Sequence, residues 1–278
     1  MAEDDEVEND VVAPPAEVAA LFVADGDRFV PTLLTQGPWS RNHQFGGAPS
    51  GLVAHVADRA PSLVPMQVAR LTVDLLRPVP IAPLSAQVRV RREGRRIQVL
   101  EVTLHAGEVE VVRASALRMR VSDLSHLDLP TGPARSGPPA VPLRPYEGPR
   151  RTERPLGMEG ALEYAYEHPG RMFAEPTWLR LAVPVVHGCV MSGLERMAYV
   201  ADAVSGIGHP MGAPLTGINA DISMSVVRYA VGEWLCVIGS GWVGPEGIGV
   251  AQATLADESG VVASVSVSRL VDEATDPP

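Results

Sequence analysis

Between Gln44 and Ala60 the chain reads Gln44-Phe45-Gly46-Gly47-Ala48-Pro49-Ser50-Gly51-Leu52-Val53-Ala54-His55-Val56-Ala57-Asp58-Arg59-Ala60. After the glycine pair, small and apolar residues fill nearly every position. The stretch therefore predicts a helix with no wide polar face, buried on most sides. Two glycines at its start let another backbone or a ligand come close. The N–H groups of the first turn would face whatever lies there. Read alone, the same residues also describe a tight turn into a core helix.

Alternation of apolar and polar positions predicts strands downstream. Residues 68–77 set Leu71, Val73 and Leu75 on one face, and residues 85–92 set Ala86, Val88 and Val90 on one face. Strands over 97–105 and 109–120 follow, with Glu93-Gly94 and Ala106-Gly107 as turns. Upstream, the pattern predicts a short helix over 17–22 and a strand over 29–32 leading to Trp39 and His43.

The second half repeats this order. A strand is expected over 178–184 and a helix over 192–204, with Leu194, Met197, Ala198 and Ala201 along one side. Strands are expected over 221–228, 234–242, 249–255 and 261–271. Arg77 recurs as Arg228 and Thr103-Leu104 as Thr254-Leu255, both 151 residues on. Two copies of one helix-plus-sheet unit follow from landmarks that share one offset. The expected organisation is an acidic disordered tail over 1–16, a first unit over 17–121, a linker over 122–160, a second unit over 161–272 and a tail over 273–278. The linker is read from crowded prolines, Pro130 to Pro155. Arg150, Arg151 and Arg154 at its end are a solvated surface or a contact for ligand phosphates.

Composition narrows the chemistry. The chain has 278 residues, 46% hydrophobic, with a net charge of −10. That is enough apolar material for a real core, and the charge argues against a nucleic-acid partner. Cys189 and Cys236 form no CxxC and no metal-like spacing with His, so no metal and no cofactor are expected. No apolar run has the length of a membrane span and the N-terminus is acidic, which points to a cytoplasmic protein. There is no GxSxG or HExxH, and Gly206-Ile207-Gly208 lacks the setting of a dinucleotide loop.

One buried helix against a curved antiparallel sheet is the hotdog layout, and here specific residues resemble the double-hotdog acyl-CoA thioesterases. His43 with Phe45-Gly46-Gly47, then Asp74-Leu75-Leu76-Arg77-Pro78 and Arg92-Glu93-Gly94-Arg95, resemble the family's first half. Met197-Ala198-Tyr199-Val200-Ala201-Asp202, Asp221 to Arg228 and Gly260-Val261-Val262-Ala263-Ser264 resemble its second half. The resemblance implies an α+β double hotdog that hydrolyses a fatty or related acyl-CoA and assembles as a homodimer.

It further implies that three side chains hold the attacking water: an Asp on the second helix, a Thr or similar residue on the next strand and a Gln on the last. These positions fall on Asp202, Asn219 and Val267. Valine cannot hydrogen-bond, so the set is incomplete; a catalytically degenerate acyl-CoA-binding or structural protein is the alternative. His43, Gly46 and Gly47 would lie on the substrate side, with the Gly47 N–H polarising the thioester carbonyl. Read without the resemblance, His43 and His55 are structural histidines, Asp58 and Arg59 are surface charges, and Asp202 shares a solvated helix face with Glu195 and Tyr199.

Overall fold

The buried helix forms where the pattern puts it. In a computed structural model, which describes residues 19–129, 132–147, 157–207 and 215–273, α1 spans Gly47–Asp58 and buries ten of its twelve residues. Its counterpart α2 spans Gly193–Asp202. Ser192 caps α2: its hydroxyl accepts the Glu195 N–H at 3.2 Å, satisfying a donor the helix leaves open. The two helices pack against each other.

A single antiparallel sheet wraps both. In the first unit β1 (Phe22–Asp25), β2 (Arg28–Pro31), β3 (Met66–Leu75), β4 (Leu84–Arg92), β5 (Ile97–Ala106) and β6 (Val109–Arg120) lie in the order β1-β2-β4-β5-β6-β3. In the second, β7 (Leu162–Ala165), β8 (Thr177–Leu181), β10 (Asp221–Val226), β11 (Trp234–Val243), β12 (Ile248–Asp257) and β13 (Gly260–Glu273) lie in the order β10-β13-β12-β11-β8-β7. The halves join where β3 and β10 pair, with Thr72 opposite Ser223. A short strand β9 (Leu215–Asn219) pairs with β13 off this path.

The repeat is visible in the strands and slips in the helices. Ile97 and Ile248 open equivalent strands 151 residues apart, as do Val109 and Gly260. The helices start 146 residues apart, at Gly47 and Gly193. Register in a sheet is held by every cross-strand pair, whereas a helix end can shift with its caps.

Arg118 and Arg269 sit at matching sites, both almost fully buried. Arg118 donates to the Ala60 carbonyl and to Gln98 Oε1, both at 2.8 Å. Arg269 donates to the carbonyls of Ser205 at 3.0 Å and Ile207 at 2.9 Å. Each guanidinium thus closes the carboxyl end of its own helix, where open carbonyls favour a cation. Gln98 has no counterpart: Gly249 stands 151 residues on.

Two expectations change. Residues 19–22 are not helical; the Phe22 N–H bonds the Val185 carbonyl and the Phe22 carbonyl accepts from His187 N–H, which draws the segment into β1. The linker is not a free connection. Arg144 Nε donates to the Tyr166 carbonyl at 2.7 Å, and Met158 is 1% exposed within the core. The short strands β7 and β9 had no readable alternation. The acidic tail over 1–16, Arg150, Arg151, Arg154 and all but the first residue of the tail over 273–278 lie outside the described residues.

Replacing Arg118 by Met should lower stability by about 2–3 kcal/mol, because buried carbonyls lose a charged donor. Urea unfolding should show a lower midpoint at unchanged slope; an unaltered midpoint would remove the capping role.

Candidate active site

Asp202 is the last residue of α2 and points at the first turn of α1. Its Oδ2 accepts the Gly47 N–H at 2.9 Å, and its Oδ1 accepts from Asn219 Nδ2 at 2.6 Å. Asp202 is 2% exposed. Burial pushes its pKa up to about 6, against the lowering pull of the Asn219 and Gly47 hydrogen bonds. Asn219 arrives as the last residue of β9, directly opposite Arg269 of β13.

The glycines are needed for this approach. A Cβ on Gly46 would lie 2.8 Å from Asp202 Oδ1, and a Cβ on Gly47 would lie 2.6 Å from both the Tyr199 carbonyl oxygen and the Phe45 ring. Only a residue without a side chain allows α1 to start against the end of α2.

A cavity of about 370 Å³ opens beside these groups, and Asp202, Asn219, Gly46 and His43 all line it. Gly47 does not line it, and its N–H is taken by Asp202. The Gly46 N–H has no acceptor among the described residues. His43 lies at the wall with its pKa lowered by burial, so it is neutral around pH 7. Val267 is fully buried, opposite Ala251, and is not part of the cavity wall. Among the described residues the Asp202 side chain therefore has one side-chain partner, Asn219.

Arg269, two residues beyond Val267 on the same strand face, does reach the wall. Its signal in the sequence was a charge on the inward face of a strand whose other inward residues, Val265, Val267 and Val271, are apolar. Burial pulls its pKa down, and its Nε finds no partner.

Of the other charges on the two helices, Arg59 is at the surface as expected, its side chain 41% exposed, whereas Glu195 is not solvated. Glu195 is fully buried; its Oε1 meets His55 Nδ1 at 3.2 Å and takes a hydrogen bond from Arg59 Nη1. Burial acts to raise the Glu195 pKa, but His55 and Arg59 outweigh it and hold the carboxyl below its usual range. Asp58 accepts from the Tyr229 hydroxyl at 2.6 Å. Helix-against-helix packing brought His55, Glu195 and Asp202 inside, which a wheel drawn for one helix cannot show. No group of three His, Cys, Asp or Glu side chains among the described residues could hold a metal ion. No described helix is long and apolar enough to cross a membrane.

Residues 35–119 match the acyl-CoA thioesterase N-terminal domain, and residues 130–266 match the acyl-CoA thioesterase C-terminal domain. The chain belongs to the acyl-CoA thioesterase family. Its fold is the double hotdog of that family. The same fold occurs in the acyl-CoA thioesterase II TesB2 of Mycobacterium marinum, which is 18% identical, with 88% of this chain and 98% of that one covered at a TM-score of 0.60. It occurs in the tesB protein of Mycobacterium avium subs paratuberculosis, 19% identical, with 92% and 96% covered at a TM-score of 0.55. A protein with hot dog fold from Alicyclobacillus acidocaldarius, 15% identical, covers 94% and 97% at a TM-score of 0.65. A comparison with curated proteins gives no match.

In this thioesterase-family chain the raised Asp202 pKa makes a stability prediction. The folded pKa lies near 6 and the ordinary value is 3.8, so the folded state holds the extra proton between these values. Asp202 therefore favours folding at about pH 4, and that contribution is lost as pH rises to about 6 and beyond, by about 3 kcal/mol. Urea unfolding from pH 4 to 7 should show wild type losing stability relative to Asp202→Asn; a difference flat with pH would show that Asp202 is not perturbed.

Proposed function

We propose that this chain hydrolyses an acyl-CoA to the free acid and coenzyme A, with Asp202 as general base. The observation that carries the reading is a buried carboxylate at a cavity wall, with a pKa of about 6, held between a helix start and an amide side chain. Such a group is ionised at neutral pH and still basic enough to take a proton. Each Asp202 oxygen uses one lone pair in the hydrogen bonds already described, leaving others for a water.

In this mechanism Asp202 takes a proton from water as its oxygen attacks the thioester carbon. The carbonyl π electrons move to oxygen, and the Gly46 N–H, at the positive end of α1, stabilises the resulting oxyanion. The oxyanion collapses, the carbon–sulfur bond breaks, and the thiolate leaves as coenzyme A and collects the proton. Asn219 keeps the carboxylate aimed. Arg77, an exposed residue of the cavity wall, is the cation offered to the phosphates of coenzyme A.

A second reading, an acyl-CoA-binding protein without turnover, is favoured by one observation: Val267 places no polar group beside Asp202. Thiol release from a panel of acyl-CoAs separates the two. Turnover is expected, with an apparent pKa near 6 in kcat/KM. Asp202→Asn should lower kcat about 10²–10⁴-fold with KM little changed, the range for loss of a general base. Binding without turnover in wild type would establish the second reading.

A homodimer is also part of the proposal. Trp242, Ile248 and Leu270 are exposed on the face of the sheet away from the helices, a patch that a second copy would cover. Light scattering should give twice the chain mass; a monomer at working concentration would sink this.

A further inference from the structure

We infer that the cavity is shaped for an aromatic acyl group rather than a long straight chain, an inference that rests on the thioesterase reading above. Aromatic residues are only 5% of the chain, 4 Trp, 5 Tyr and 4 Phe. The cavity wall nevertheless takes Trp39, Phe45, Tyr146, Tyr164 and Phe173. They come from separate places: the loop before α1, the linker, β7 and the loop that follows it. No local pattern concentrates them; the fold does.

The cavity is lined by exposed and by buried residues. Leu76, Arg77 and Pro78 of its wall are exposed. Met158 is 1% exposed, Tyr164 2% and Met172 7%, and these three belong to its buried wall. An apolar cavity of about 150 Å³ holds a benzene ring. Of the 370 Å³ here, a ring would leave about 220 Å³ for the thioester and the inner arm of coenzyme A. A long chain would have to fit its further carbons into the same 370 Å³.

The wall also carries a tilted ring pair. Tyr146 and Tyr164 lie 6.0 Å apart between centroids, tilted by 44°. Rings arranged this way reward a planar ligand through face-to-edge attraction beyond the area it buries. Phe173 adds a second sign of purpose. Among the described residues it is the only non-glycine with a left-handed backbone, at φ 61°. Its N–H is held by Thr177 Oγ1 at 2.9 Å. Its ring occupies the space that Gly206, just beyond α2, leaves open: a Cβ there would lie 3.0 Å from the ring. A bulky residue kept in a strained conformation at a cavity wall points to a use for its ring there.

The test compares phenylacetyl-CoA with octanoyl-CoA, whose acyl groups have equal carbon number, and adds palmitoyl-CoA as the long chain. Thiol release should give phenylacetyl-CoA a kcat/KM about tenfold or more above octanoyl-CoA, with palmitoyl-CoA lower still. In Phe173→Leu and in Tyr146→Leu the ratio of phenylacetyl to octanoyl kcat/KM should fall towards one. Octanoyl-CoA or palmitoyl-CoA turned over as well as phenylacetyl-CoA would overturn the inference and leave the thioesterase reading standing. An unchanged ratio in both variants would overturn it as well. Hydrolysis of none of the three would end the thioesterase reading and this inference with it.

Discussion

A carboxylate is expensive to bury, and Asp202 is buried at the point where the two halves of the molecule meet. The surroundings offset that cost in part, with one backbone N–H from the first helix and one amide from β9. Both partners come from elsewhere in the chain, 155 residues before and 17 residues after. The site therefore exists only when α1, α2 and β9 are docked together. Gly46 and Gly47 make the docking possible, because any side chain there would collide with Asp202, Phe45 or the backbone at Tyr199.

The two units began alike and now do different work. Both keep a buried arginine at the carboxyl end of the helix, Arg118 and Arg269. The first unit backs its arginine with Gln98, while the second has Gly249, and Arg269 reaches the cavity wall. The helix ends differ in the same way. Where α1 starts, a single carboxylate faces a cavity. Where α2 starts, Glu195 is tied up by His55 and Arg59, and its remaining oxygen has no partner. One end opens on a cavity, and the other holds two helices together.

The segment between the units forms part of the cavity wall. Gly157 lies so close to the Leu33 carbonyl that no side chain would fit, and Met158 beside it is a buried part of the cavity wall. Tyr146 packs its ring against that of Tyr164 at a tilt. A connection rich in proline has little freedom to lose on ordering, which suits it to forming a wall as well as a link.

Much of this was legible in the residues. Apolar alternation located the long strands of both halves within a few residues, and the offset of 151 showed two copies, because burial of one strand face acts on every second residue along the chain. The small residues of α1 announced a helix buried on nearly all sides, and the resemblance singled out Asp202 and Asn219. The identity of the partners was not legible. Glu195 and Asp202 read as a solvated face until the second helix was placed against the first. The Gly47 N–H read as a free donor until Asp202 was found on it. The shape of the cavity depended on Tyr146, Tyr164 and Phe173, which are distant in sequence and carry no common pattern. Sequence alone determined the repeated helix-and-sheet unit, since periodic burial is a local property. Only tertiary structure decided which polar groups are buried together and which rings share a wall, since those depend on contacts between the halves.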